Sequence, residues 1–232
     1  ALYKKAIALD PKKVKSYSNL AALYATLGKE DEAMDILNKA LMINSNNAEA
    51  GGNVGAVYAK VGKKQEALRL IKKSIELDPY YLLAYMNLGA IYNNAGEKSG
   101  AIDAYEQAIR INPNSVRAYY HLGKLYQDIG KTKKAIASYK KVIAIDSSQF
   151  DAYNILGSIL GSEGLYTEAL NYLKQALRIN PRGALAYNNI GITYARMNQW
   201  DKAREAWIKA LEINIELKEA QDNLAKLKKL GY

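Results

Sequence analysis

Apolar residues recur along the chain at helical spacing, and the pattern repeats every 34 residues. Residues 82–115 show it most clearly, because Gly96 separates two apolar stripes there and Pro113 follows them. The first stripe consists of Tyr85, Leu88, Gly89 and Tyr92, and the second of Ala101, Ala104, Tyr105, Ala108, Ile109 and Ile111. Apolar residues three or four apart lie on one face of a helix, whereas glycine and proline end helices. The pattern therefore predicts two amphipathic helices joined by a tight turn.

One column of alanines shows that this helix pair recurs without insertion or deletion. Its members are Ala33, Ala67, Ala101, Ala135, Ala169 and Ala203. Fixed self-similarity at this period is the signature of a stacked solenoid, which grows by adding repeats and has no single central core. We therefore predict one all-α domain over residues 1–232. Its six full repeats are 14–47, 48–81, 82–115, 116–149, 150–183 and 184–217, preceded by a partial repeat at 1–13 and followed by a lone helix at 218–232.

Ten of the sixteen glycines fall into two further columns. One column, predicted to let paired helices approach closely, contains Gly55, Gly89, Gly123, Gly157 and Gly191. The other, predicted to supply the turn between them, contains Gly28, Gly62, Gly96, Gly130 and Gly164. Asn198 stands in the turn column of the last full repeat, and asparagine is the next-best residue for a left-handed turn. Gly51 and Gly52 stand where an aromatic residue is expected, which predicts a soft spot in that helix.

The order aromatic-x-x-Leu-Gly-x-x-Tyr, then alanine, a large residue four positions later and proline, resembles the signature of the tetratricopeptide repeat (TPR). The resemblance covers essentially the whole chain. It implies a right-handed superhelical solenoid of antiparallel helix pairs. It also implies that the first helix of each repeat lines a concave groove, which is the surface where TPR proteins bind peptides.

A polar column lies in the groove-facing stripe of the first helices. It reads Asn19, Asn53, Asn87, His121, Ile155, Asn189 and Asn223. This column is similar to the asparagine ladder of O-linked N-acetylglucosamine transferase and other peptide-binding TPR proteins. The predicted peptide-binding residues are Asn19, Asn53, Asn87, Arg117, Tyr120, His121, Lys124, Asn154, Asn189 and Asn223. The alternative is a solvated polar groove, in which duplication alone copied the asparagine.

The chemistry of an asparagine ladder suits recognition of a peptide backbone. A carboxamide carries both an acceptor and a donor, so it can pair with both groups of one peptide bond. Helices pack roughly 8–10 Å apart, and an extended peptide advances about 3.3 Å per residue. Successive asparagines of the ladder should therefore contact roughly every third residue of the ligand.

The net charge of +10 is unevenly distributed along the chain. Residues 116–149 carry seven basic and two acidic side chains. This repeat therefore supplies half of the positive net charge of the chain. Arg117, His121 and Lys124 share the groove-facing stripe there, so we predict that an acidic ligand segment docks at this repeat, most strongly when His121 is protonated. The alternative is an ordinary solvated lysine face. Most lysines fall on second helices, and helical-repeat RNA readers use a different repeat, so nucleic acid is not favoured as a partner.

Catalytic and metal-binding motifs are missing from the sequence. With no cysteine and one histidine, the chain has no disulfide, no thiol nucleophile and no zinc ligand set. It contains no Walker-type loop, His-Glu-x-x-His or Gly-x-Ser-x-Gly. We therefore predict neither enzyme activity nor a cofactor. No apolar run has the length of a membrane span and no signal-like segment opens the chain, which predicts a soluble protein, cytoplasmic by default, or secreted if a signal peptide was removed.

Three functions are compatible with these observations. The first is a non-catalytic scaffold that binds an extended peptide in its groove. The second is a self-assembling head-to-tail filament, because residues 1–13 resemble a second helix without its first and residues 218–232 a first helix without its second. Its contacts would be the apolar stripes Leu2, Ala6, Ile7 and Leu9 at one end and Leu224, Leu227 and Leu230 at the other. The third is the substrate-recognition arm of a larger glycosyltransferase. In place of the filament, the incomplete repeats at both ends favour a piece cut from a longer array.

Overall fold

The computed structural model describes residues 2–43, 46–229 and Gly231. Over these residues it has fourteen α-helices and no strand, which confirms the predicted all-α fold. In chain order the helices are α1 (Leu2–Leu9), α2 (Val14–Thr26), α3 (Glu30–Ile43), α4 (Ala48–Lys60), α5 (Lys64–Leu77), α6 (Leu82–Asn94), α7 (Lys98–Ile111), α8 (Val116–Asp128), α9 (Thr132–Ile145), α10 (Phe150–Ser162), α11 (Tyr166–Ile179), α12 (Ala184–Arg196), α13 (Trp200–Ile213) and α14 (Lys218–Lys229). None of these helices combines the length and the apolar character that a membrane span requires.

The chain divides into two compact halves, Ala1–Ala118 and Tyr119–Tyr232, which are described separately. In the N-terminal half, α2 packs on α3, α4 on α5 and α6 on α7, and the first helix α4 lies between α2 and α6. In the C-terminal half, α10 packs on α11 and α12 on α13, and α12 lies between α10 and α14. Each half is therefore built from helix pairs whose first helices are neighbours.

The turns between paired helices need a left-handed residue, and the predicted column supplies it. All five glycines of this column have φ between 70° and 81°. Asn198 takes the sixth place with φ 57°, the one non-glycine residue with positive φ among those described. A side chain costs energy in this backbone region, least for asparagine. The predicted turn role of both residue types is thus confirmed.

Small residues set the distance between paired helices. Every alanine of the 34-residue column is completely buried. At Gly89 an added Cβ would lie 2.7 Å from Cε1 of Tyr105, and at Gly191 it would lie 2.5 Å from Nε1 of Trp207. A large side chain from the second helix therefore occupies the space that a methyl group would need. Close helix approach, predicted from these columns, is confirmed.

Gly51 and Gly52 lie inside α4, which continues through both of them. At Gly52 an added Cβ would lie 2.7 Å from Cε1 of Tyr81, so the ring of this tyrosine covers the missing side chain. At Gly51 the added atom would instead face α5, 3.3 Å from the carbonyl oxygen of Leu70. The two glycines thus have different environments, although they are adjacent in sequence.

The ends of the chain differ from the expectation in one respect. Leu227 was expected to be uncovered, but only 3% of it is exposed, because it packs with Trp207 and Ala203 of α13. Leu224 is half-buried against the same cluster, and Leu230 lies outside the described residues. At the other end the expectation is confirmed for Leu2 and Leu9, which are 82% and 87% exposed. Ala6 and Ile7 of the same stripe are half-buried, so Leu2 and Leu9 are the exposed members of the two stripes among the described residues.

Candidate functional site

The N-terminal half places Lys15 and Asn53 at the same recess. This recess, about 250 Å³ in volume, lies where α2 and α4 begin, and its wall also includes Lys12, Lys13 and Glu49. Asn53 is half-buried, whereas Lys15 and Glu49 are exposed. Three ammonium groups against one carboxylate give the recess a positive balance. Asn19, the preceding member of the polar column, is exposed on α2.

Asn87 connects two neighbouring first helices. Its Nδ2 donates to the carbonyl oxygen of Gly52 over 3.3 Å, from α6 to α4. Gly52 has no side chain, and its backbone oxygen can be reached from the next first helix. The side chain of Asn87 is half-buried, so part of the carboxamide stays at the surface.

The C-terminal half repeats this connection with two pairs of asparagines. Nδ2 of Asn189 donates to Oδ1 of Asn154 over 2.9 Å, from α12 to α10. Nδ2 of Asn223 donates to Oδ1 of Asn188 over 3.1 Å, from α14 to α12. Like the bond of Asn87, both join residues 35 apart, one repeat plus one residue. The amides of Asn87, Asn189 and Asn223 therefore reach back to the preceding first helix.

Asn188 was missed in the sequence analysis. It is 4% exposed, and its side chain accepts the bond from Asn223. The repeat pattern could have identified Asn188, because Asn154 and Asn188 are 34 residues apart and each directly precedes a member of the polar column. Asn154, which was included, is also buried, at 8% exposure.

These bonds change what the carboxamides offer to a ligand. Each Nδ2 carries two protons and Oδ1 has two lone pairs, so one donated bond leaves one N–H and the oxygen for other partners. The bond also fixes the rotamer of the side chain, which reduces the entropy lost when a ligand binds. The polar column thus holds amide oxygens in fixed positions along α6, α12 and α14.

A second recess lies beside Asn223 in the C-terminal half. It measures about 280 Å³ and is lined by Trp200, Arg196, Lys226 and other residues of α12, α13 and α14. Nη1 of Arg196 donates to the carbonyl oxygen of Gly161 over 2.7 Å, again from one first helix to the preceding one. Arg196 and Lys226 are the two charged residues of the described lining, so this recess is also positive.

The remaining predicted residues, Arg117, Tyr120, His121 and Lys124, lie on α8. Arg117 and Lys124 are exposed, whereas Tyr120 and His121 are half-buried. The ring of Tyr120 packs edge-on against Tyr139 of α9 at 5.8 Å between centroids, and against His121 at 6.2 Å. Burial, helped by the nearby carboxylate of Asp151, raises the pKa of Tyr120 above its ordinary value. At Ile155, where the column lacks a polar residue, the side chain is half-buried on α10.

The described residues contain no cluster of three or more histidine, aspartate or glutamate side chains placed to hold a metal ion. Ion pairs such as that between Lys140 and Glu168 at 3.1 Å lie at the surface. Pairs of this kind contribute little to stability.

Comparison with protein families gives four matching profiles. One described as "TPR repeat" matches residues 91–130, and three described as tetratricopeptide repeat match residues 2–35, 116–149 and 148–213. A search of curated protein sequences gave no significant match.

Several solved structures resemble the chain. The crystal structure of YrrB, described as a TPR protein with an unusual peptide-binding site, is 26% identical with a TM-score of 0.68, over 80% of this chain and 96% of YrrB. A crystal structure of MamA is 29% identical with a TM-score of 0.65, over 72% of this chain and 96% of its own. PilF of Pseudomonas aeruginosa, at 18% identity, a TM-score of 0.74 and coverage of 92% and 97%, shows the fold alone.

Proposed function

Because this chain is a tetratricopeptide repeat protein, we propose that it is a non-catalytic scaffold that binds an extended segment of a partner protein. Within each half, the ligand lies along the first helices, on the side that carries the asparagines. One repeat domain over residues 1–232 is part of this proposal. The observation that carries it is the set of interhelix amide bonds, at Asn87 in the N-terminal half and at Asn189 and Asn223 in the C-terminal half, which orient carboxamides on the first helices.

The amide groups recognise the backbone of the ligand rather than its side chains. A peptide N–H donates to an oriented Oδ1, and the remaining N–H of the same carboxamide donates to a peptide carbonyl. Because the rotamers are already held, binding orders few protein side chains. The resemblance to YrrB, whose description names a peptide-binding site, supports this reading.

The charge of the flanking surfaces favours an acidic ligand. Lys12, Lys13 and Lys15 surround Asn53 in the N-terminal half, and Arg196 and Lys226 lie beside Asn223 in the C-terminal half. Lys124 adds positive charge on α8, and His121 adds more when it is protonated. Attraction between such exposed groups and a carboxylate is modest and is screened by salt. Charge therefore orients and selects the ligand, and the amide ladder holds it.

The sharpest test uses Asn53, because no hydrogen bond joins its side chain to another described residue. Asn53→Ala should therefore leave stability unchanged and remove only ligand contacts. A peptide selected from a random display library serves as probe, measured by calorimetry. We expect affinity to fall roughly two- to tenfold for each hydrogen bond lost, since each contributes about 0.5–1.5 kcal/mol. Asn171→Ala, which removes an exposed amide from the second helix α11, is the matched control.

Two outcomes would reject the proposal. If Asn53→Ala and Asn171→Ala bind the selected peptide equally well, the ladder does not hold the ligand. If the library yields no peptide that competes for this face, the scaffold function itself fails. Replacing the acidic residues of the selected peptide by lysine tests the charge preference separately, and equal affinity would remove that part alone.

Head-to-tail self-association through residues 1–13 and 218–232 is a second candidate, and the exposure of Leu2 and Leu9 favours it. Burial of Leu227 works against it, because that surface is already covered within the chain. Light scattering of the wild type and of Leu9→Lys at increasing concentration tests it. Met42→Lys, which changes an equally exposed apolar residue of α3, is the control. Growth abolished by the first substitution alone would support assembly, and a monomeric wild type would reject it.

A further inference from the structure

The second repeat contains a cavity beside Gly51, the sequence position at which the other full repeats carry tyrosine. The column that Gly51 interrupts consists of Tyr17, Tyr85, Tyr119, Tyr153 and Tyr187. Beside Gly51 lies a cavity of about 170 Å³ between the end of α3 and the helices α4 and α5. Its apolar wall is formed by Leu41, Leu70 and Leu77. We call it the Gly51 cavity.

The two adjacent glycines have different neighbours, because an aromatic ring covers Gly52, whereas Gly51 faces α5 and borders the cavity. The ring of Tyr81 covers Gly52, as its Cε1 would lie 2.7 Å from an added Cβ there. At Gly51 the nearest atoms to an added Cβ are the carbonyl oxygen of Leu70 at 3.3 Å and Cβ of Ser74 at 3.6 Å, both on α5. The Ser74 hydroxyl already donates to the carbonyl oxygen of Ala48 over 2.5 Å. Ser74 is thus hydrogen-bonded, and Oδ1 of Asn47, also in the lining, accepts from the backbone N–H of Ala50 over 2.9 Å, so the cavity accepts apolar material.

The charged residues that line the cavity are both basic. Arg69 and Lys73 lie one turn apart on α5, and both are exposed. Nζ of Lys73 donates to Oδ1 of Asn46 over 3.3 Å, which holds it at the rim. No carboxylate belongs to the described lining. The surroundings therefore favour an apolar ring that is accompanied by a negative charge.

We propose that the Gly51 cavity binds the ring of an aromatic residue from a partner protein, while a neighbouring carboxylate of that partner pairs with Arg69 and Lys73. The ring takes the place that tyrosine holds in the other repeats. The size is suitable, since an engineered apolar cavity of about 150 Å³ binds benzene. Successive helical residues are rotated by about 100°, so Gly51 and Asn53 lie on opposite sides of α4. This site is separate from the asparagine-bearing face and does not rest on the proposed function.

The test is amide-resolved NMR with the full chain and three blocked dipeptides. N-acetyl-phenylalanyl-glutamate amide should shift the Gly51 and Gly52 amide signals in a saturable manner. N-acetyl-leucyl-glutamate amide should bind about tenfold more weakly, because a branched aliphatic group fills a ring-shaped space poorly. N-acetyl-phenylalanyl-lysine amide should bind up to about fivefold more weakly, the range of an exposed ion pair.

Two variants separate occupation of the cavity from general effects. Gly51→Tyr places a ring in the cavity from within the chain, and should abolish the phenylalanine-dependent shifts. If that variant does not fold, Arg69→Glu with Lys73→Glu changes only exposed groups, and should invert the preference between glutamate and lysine. Lys72→Glu alters an exposed charge of α5 outside the cavity lining, and should change the preference less.

Three results would overturn the inference. They are equal affinity for the phenylalanine and leucine probes, phenylalanine-dependent shifts that persist in folded Gly51→Tyr, and shifts centred away from Gly51. If the dipeptides do not bind at the Gly51 cavity, the proposed role of the asparagines is unaffected. That role is tested separately, with the library-selected peptide and Asn53→Ala. Conversely, loss of the ladder function would not alter the dipeptide titration.

Discussion

Gly191→Ala tests whether the contact between paired helices limits side-chain size. An added methyl group would lie 2.5 Å from Nε1 and 2.6 Å from Cδ1 of Trp207. The indole is 4% exposed, and its Nε1 donates to the carbonyl oxygen of Asn188 over 3.2 Å, so it has little room to move. Overpacking costs about 1–3 kcal/mol, and loss of the indole bond about 0.5–1.5 kcal/mol. Alanine recovers about 1 kcal/mol of helix propensity. We therefore expect a net destabilisation of about 1–3 kcal/mol.

The first repeat suggests how the effect can be reversed. There the equivalent pair is Ala21 and Leu37, and both residues are completely buried. Trp207→Leu should therefore remove the clash in the Gly191→Ala background, although it loses packing when made alone. In a double-mutant cycle the two changes should be less costly together than the sum of the single changes, by about 1 kcal/mol or more.

Urea unfolding, followed by far-ultraviolet circular dichroism, measures the free energy of unfolding of the wild type, the two single variants and the double variant. Gly161→Ala is the matched control, because its added Cβ would meet Oγ1 of Thr193 at 3.1 Å and otherwise only atoms at 3.7 Å or more. We expect that variant to be close to neutral. A stable Gly191→Ala, or additive effects of Gly191→Ala and Trp207→Leu, would refute the packing argument.

Three further predictions concern the alanine column, the turns and the buried tyrosines. Ala101→Leu should cost about 1–3 kcal/mol in urea unfolding, because Ala101 is completely buried between paired helices. Asn198→Val should lower the thermal midpoint, whereas Asn198→Gly should not, since φ is 57° there and glycine alone adopts this region freely. Burial raises the pKa of Tyr105 to about 12, against about 10 in an unfolded chain. The stability that the protonated phenol provides is therefore complete below about pH 10 and is lost as pH rises towards 12. Tyr105→Phe should flatten that part of the urea-midpoint profile, and an unchanged slope would contradict the assignment.

The local features of the fold were predictable because they depend on residues close in sequence. A helix needs only its own apolar periodicity, so the paired stripes of residues 82–115 predicted α6 and α7 before any tertiary information. A left-handed turn is likewise a property of one residue, which is why Gly96 and Asn198 identified their turns. The alanine column indicated close packing, since repetition at a constant period places equivalent residues in equivalent contacts.

The candidate site was predictable only in part. The polar column identified Asn87, Asn189 and Asn223, but not the direction in which their amides donate. Asn188 was not predicted, because the role of a buried acceptor becomes apparent only once its donor is known. Here the donor, Asn223, lies 35 residues away. Whether an amide faces a ligand or a neighbouring helix depends on the distance between helices, which no local pattern contains.

Tertiary structure also decided which gaps are filled. The sequence does not distinguish the adjacent residues Gly51 and Gly52. In the structure, the ring of Tyr81 covers Gly52, and Gly51 borders a cavity. Leu227 likewise belonged to an apparently uncovered stripe, and α13 covers it. Helix positions and turns follow from interactions within one repeat, so the sequence alone determines them. Cavities, covered surfaces and amide orientations arise where side chains from separate helices meet, and only the packed structure determines those.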